Sequence, residues 1–242
     1  VRQHADRLGV CLKGDLPIGV NRRSVETWMT PELFHLDVST GCPADYFSDG
    51  QNWGFPTYNW DEMRRTRFAW WRRRLRRMEQ YFHAVRVDHI LGFFRIWEIP
   101  REHEHGSMGH YNPARAYTLD ELQEFGLVDV ARLARPYITD DVLRQVLPHD
   151  RVERIKRAYL VPHGATYRLV DGITGEAAVT AAEPDPEVAR GLKALVRNVC
   201  LLPAPGERGE ARFVPRVACA TTASFQHLDA EEQRAVQRLH ED

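Results

Sequence analysis

Cysteine is scarce in this chain of 242 residues: there are four, Cys11, Cys42, Cys200 and Cys219, and no Cys-x-x-Cys pair. That argues against a zinc site built from thiolates and reads as free thiols in a reducing, cytoplasmic compartment. Long apolar runs are missing too, and no stretch approaches the ~20 residues that span a bilayer. Charge of one sign is lacking, with a net value of −1. No global field therefore recruits nucleic acid or an anionic membrane. The opening Val1-Arg2-Gln3-His4 leads into no apolar core, so it does not read as a secretory signal. An initiator Met is absent, and the chain starts and stops inside amphipathic segments, as expected of an internal fragment. What is present, 43% hydrophobic and 28% charged residues, suits a globular domain of ordinary composition.

Residues 1–9 read as the end of a helix, and Val10 to Val20 as a buried strand holding Gly14, Asp15 and Pro17. A loop-rich stretch follows at 21–59. Phe68, Trp71, Leu75, Met78 and Phe82, at spacings of three and four, predict one helix over 60–84. Ala84 to His89 predicts a short buried strand. Strand, loop, helix, strand is a βαβ unit, so the two strands are expected side by side and parallel. Helices are expected at 118–125, 139–147, 151–158, 186–197 and 229–240, the last started by Asp229. Thr174-Gly175-Glu176 fits either a hairpin turn or a loop between helices.

Chemistry concentrates where the second strand ends, at Arg86-Val87-Asp88-His89. Alternation places Arg86 and Asp88 on one side. An arginine beside an aspartate favours the ionised carboxylate, the form a covalent glycosidic mechanism needs as nucleophile. The same pair also fits a salt bridge that orders a strand end. The run to Pro100 that follows is hinged at Gly92 and dense in aromatic rings. Rings stack on the apolar faces of sugars, yet Phe93, Phe94 and Trp97 fit a core equally well. From Asp45 to Tyr58, carboxylates, amides and rings interleave on a glycine-punctuated loop. That composition suits an oligosaccharide groove or a protein interface.

Three segments together resemble the amylomaltase family in order and spacing: Gly14-Asp15-Leu16-Pro17-Ile18-Gly19-Val20, the Asp45–Tyr58 loop, and Arg86-Val87-Asp88-His89 with Gly92-Phe93 and Trp97-Glu98-Ile99-Pro100. The resemblance is dense over 10–100. It continues more thinly through Arg135-Pro136-Tyr137-Ile138 and Thr222–Leu228. The segment after Pro100 resembles the larger disproportionating enzymes of the plant cytosolic type and their bacterial relatives.

The resemblance implies an α/β fold, an incomplete (β/α)8 TIM barrel with a mainly helical insertion. Residues 1–100 would supply the region of barrel strands 3 and 4, 101–212 an insertion at the rim, and 213–242 a return to a barrel helix. It implies a 4-α-glucanotransferase, moving α-1,4-glucan segments between maltooligosaccharides by a retaining double displacement, with Asp88 as nucleophile. Arg86 would hold the nucleophile, His89 contact the sugar, and Asp15, Asp45, Gln51 and Trp53 line substrate subsites. The reaction calls for a glucan and for no cofactor, metal or nucleotide. The family's acid/base glutamate, in a Gly-Glu-Asp-Leu-Gly-like motif, and its third carboxylate have no counterpart in these residues. The 242 residues are therefore expected to be inactive alone. The alternatives are an α-glucan hydrolase or branching enzyme of the same clan, and a glucan-binding protein without catalysis.

Two further signals favour plain readings. Eight arginines between Arg64 and Arg77 suggest a nucleic-acid patch, but the neutral net charge and the apolar stripe favour a solvated helix. His103, His105 and His110 suggest a metal, but without further ordered ligands they fit a mobile loop near the rim better.

Overall fold

The computed structural model describes residues 1–44, 50–204 and 209–241, and these form two compact units. The first comprises Val1–Gly41 and Trp53–Glu98, the second Cys42–Asn52 and Ile99–Asp242.

The first unit is built on a parallel pair of strands, Lys13–Leu16 and Ala84–Val87, in register from Lys13 opposite Ala84 to Leu16 opposite Val87. The expected βαβ arrangement is therefore present. The expected strand bounds were too wide: the first strand has four residues, and its extension to Val20 is irregular chain. The expected burial of the second strand is not found, because Ala84, Arg86 and Val87 are all exposed. Among the described residues each strand of this two-stranded sheet has one hydrogen-bonded neighbour.

The helix expected over 60–84 is two helices, Trp60–Arg65 and Ala69–Tyr81. Between them Arg67 and Phe68 both take left-handed backbone angles, φ 53° and 54°. The Phe68 N–H bonds back to the Met63 carbonyl at 2.7 Å, closing the turn. The apolar stripe is shifted accordingly. Phe68 precedes the second helix and is exposed, as is Leu75, while Trp70 and Trp71 are buried. Around them Leu16, Ile18, Leu33, Phe34, Tyr58, Met63 and Ile96 complete the core. Tyr58 lies within 5.1–5.7 Å of the rings of Trp60, Trp70 and Trp71. Burial pushes its hydroxyl up to about 12, partly opposed by Arg74. Arg72, Arg73, Arg76 and Arg77 face solvent, as a solvated helix requires.

The second unit contains the expected helices at Leu119–Glu124, Asp140–Val146, Val152–Tyr159, Pro186–Val196 and Ala230–Arg238. Asp229 caps the last of these in a reciprocal box with Glu232. Among the described residues of this unit, three helices were not expected from the sequence, Val130–Ala134, Glu176–Ala182 and Ala223–Gln226. Small antiparallel sheets join them, pairing Leu160–His163 with Thr166–Leu169 and Leu201–Ala204 with Arg212–Pro215. The Thr174–Glu176 turn is the entry to a helix. Gly175 is obligatory there, since a Cβ would stand 2.4 Å from the Glu102 carbonyl oxygen. Its successor Glu176, 1% exposed, accepts hydrogen bonds from the Glu104 and His105 amides and from Arg197. That tie corrects the picture of a mobile histidine loop: the loop is anchored on a buried carboxylate. Burial lowers the pKa of His103 beside it, opposed by the Glu176 charge.

Among the described residues no group of three or more His, Cys, Asp and Glu side chains is arranged to hold a metal ion. No helix among them is long and apolar enough to cross a membrane. All four cysteines are free.

Candidate active site

Register brings the acidic residues together. Asp15 is paired directly across the ladder from Arg86, near the carboxyl ends of both strands. Asp88 follows the second strand, and its amide continues the ladder to the Leu16 carbonyl at 3.0 Å. Strand alternation puts Arg86 and Asp88 on the same side. The Arg86 guanidinium reaches both carboxylates, Nη1 donating to Asp15 Oδ2 at 3.0 Å and Nη2 to Asp88 Oδ1 at 2.5 Å. One cation thus holds two carboxylates from neighbouring strands, and Asp88 keeps its second oxygen outside that ion pair. The three side chains are about half exposed, at 58%, 55% and 45% for Asp15, Arg86 and Asp88.

His89 follows in the left-handed region, φ 46° and ψ 55°, and starts a short 3-10 turn over Ile90–Phe93. Its ring stands edge-on to Trp53, with centroids 5.1 Å apart and planes at 83°. Trp53 itself is anchored by its amide, which donates to the Thr40 carbonyl at 2.8 Å. The structure therefore groups Asp15, Arg86 and Asp88, and separately joins Trp53 to His89. Gln51 belongs to the second unit, where it begins the strand Gln51–Asn52. Asp45 lies outside the described residues.

One buried group near these residues in sequence was quoted in a motif but given no role. Glu98 is 5% exposed and accepts a hydrogen bond from Thr57 Oγ1 at 2.5 Å. Its signal was a carboxylate inside the apolar run Ile96–Pro100, where charge is costly unless partnered.

A parallel strand pair carrying an arginine-bridged pair of carboxylates at its carboxyl end defines an α/β protein with an open acidic site. The comparisons give that class its family. The glycoside hydrolase family 77 model, described as 4-alpha-glucanotransferase, matches residues 1–130, and the chain belongs to this family. It is similar to the 4-alpha-glucanotransferase DPE2 of Oryza sativa subsp. japonica, with 38% identity over 99% of this chain and 26% of the relative. It is also similar to the 4-alpha-glucanotransferase of Thermus thermophilus, with 41% identity over 59% of this chain and 30% of the relative. Among solved structures, the amylomaltase from Streptococcus agalactiae in complex with acarbose aligns at 37% identity with a TM-score of 0.45, over 54% of this chain and 27% of that one. The chain thus spans only about a quarter of the rice relative and under a third of the bacterial one.

Proposed function

We propose that these residues supply the nucleophile half of the active site of a longer 4-α-glucanotransferase, within a (β/α)8 barrel to which the parallel pair contributes two strands. The observation that carries this reading is the Arg86 guanidinium held between Asp15 and Asp88 at the strand ends. In parallel-strand barrels reacting groups gather at that end. Asp88 attacks the anomeric carbon of an α-1,4-glucan with its free oxygen. The glycosidic C–O bond breaks, and the leaving 4-hydroxyl oxygen takes a proton from an acid elsewhere in the longer protein. A second glucan's 4-hydroxyl then gives its proton to that acid's conjugate base as its oxygen displaces Asp88, and α-configuration is restored by two inversions. Asp15 and Arg86 hold the nucleophile and the sugar's hydroxyls, while His89, Trp53, Gln51 and Asp45 line subsites. No metal, nucleotide or cofactor takes part in this scheme, and neither nucleic acid nor membrane is a partner. The four free thiols support a reducing, cytoplasmic setting.

The test is Asp88→Asn in the full-length parent, assayed with maltotriose. Loss of a covalent nucleophile is expected to cost on the order of 10⁴–10⁶ in rate. The ion pair it disturbs is half exposed, so stability should change by under about 1 kcal/mol. A variant that still builds a ladder of longer glucans would overturn the assignment. The same assay on the unmutated parent separates transfer from hydrolysis, since hydrolysis gives only shorter products.

A further inference from the structure

His89 directly follows the acidic pair in a backbone conformation that disfavours side chains bearing a Cβ, at φ 46°. The chain then turns sharply, with the Gly92 amide donating to the His89 carbonyl at 2.9 Å. The Trp53 ring meets the imidazole edge-on. Gly92 is buried, and space for a side chain there is taken up in part by the same ring. A Cβ added at Gly92 would stand 2.9 Å from His89 Cδ2, 2.7 Å from Ile96 Cδ1 and 2.9 Å from Ile18 Cγ1. Separations that short do not persist, so a neighbour has to shift. Ile18 and Ile96 are 5% and 7% exposed, whereas the His89 ring is only partly buried. An alanine methyl would press on all three at once, so the imidazole has to move, together with the ends of the two isoleucines.

We propose that Gly92 is a positioning residue for glucan binding: its bare Cα lets the His89 imidazole rest against Trp53, where it meets the sugar held at Asp88. The inference rests on the reading of Asp88 and His89 given above. Gly92 touches no substrate and acts only through His89.

The experiment is a double-mutant cycle in the full-length parent with maltotriose. Gly92→Ala should raise KM about tenfold and leave kcat within about twofold, since it shifts a binding group and spares the nucleophile. In a His89→Ala background the same substitution should change kcat/KM by less than about twofold, because the ring it displaces is gone. A merely structural role would lower kcat/KM by the same factor in both backgrounds, and that result overturns the proposal. Should Gly92→Ala fail to fold, Gly92→Ala with Ile96→Val relieves the 2.7 Å contact while keeping the methyl against His89, and the cycle is run on that pair with Ile96→Val as reference. The two readings fail separately: Asp88→Asn that retains transfer sinks the site, while equal factors in the two backgrounds sink the role of Gly92 with the site intact.

Discussion

At the scale of single residues, the buried charges decide stability and the exposed ones are free for chemistry. Glu176 is 1% exposed and takes two backbone amides and an arginine. Glu176→Ala leaves those donors unsatisfied and should cost about 3 kcal/mol, read from the urea midpoint. His103 adds a pH dependence. Burial lowers its pKa, so the folded chain binds that proton less readily than the unfolded one. Its contribution is fully present above the ordinary histidine pKa of about 6.5 and is lost as pH falls below it, at up to about 1.4 kcal/mol per unit. Urea midpoints measured between pH 5 and 7.5 should fall on acidification, and His103→Gln should flatten the slope. Part of the slope will remain, since burial lowers the His240 pKa in the same direction. The grouping of Asp88, Arg86 and Asp15 was legible because alternation and register are readable in a short strand. The Trp53–His89 contact was not, since it joins positions 36 apart through a turn that begins at a non-glycine residue.

At the scale of elements, the Asp229 cap was readable, whereas the short helices capped by Ser24, Asp129 and Thr222 and the break in the 60–84 helix were not. Ser, Thr and Asp ahead of an apolar periodicity announce a helix start, and the Asp229 box behaves as its sequence says. Asp229→Ala should destabilise the second unit by about 1 kcal/mol, seen as a lower melting temperature. The break at Arg67 and Phe68 carries no glycine or proline, so nothing in the sequence marked it; tertiary packing of Trp70 and Trp71 overrides the local preference there. Arg67 is exposed and left-handed. Arg67→Gly should therefore be neutral or stabilising, by up to about 1 kcal/mol, rather than damaging as in a continuous helix. The Glu176–Ala182 helix was missed because its cap is Gly175, with no side-chain acceptor.

At the scale of the whole molecule, the open faces are the main feature. Trp28, Leu91 and Phe94 are 79%, 68% and 75% exposed, and Val87 on the parallel pair is open too. Side chains of this size, once exposed, are available to bind an apolar probe. The isolated 242 residues should bind 8-anilino-1-naphthalenesulfonate strongly and the full-length parent weakly; equal fluorescence from both would argue that these faces stay open in the parent. Arg86, described above as the link between two carboxylates, has one more consequence. It ties side chains of two different strands, so the alignment of the acidic groups and the sliding of one strand on the other are a single variable. A slip of one residue turns every side chain of the moved strand to the opposite face. It would carry Asp15 out of reach of Arg86, which would keep only Asp88, two residues along its own chain segment. The guanidinium thus works as a gauge of the register between the two strands.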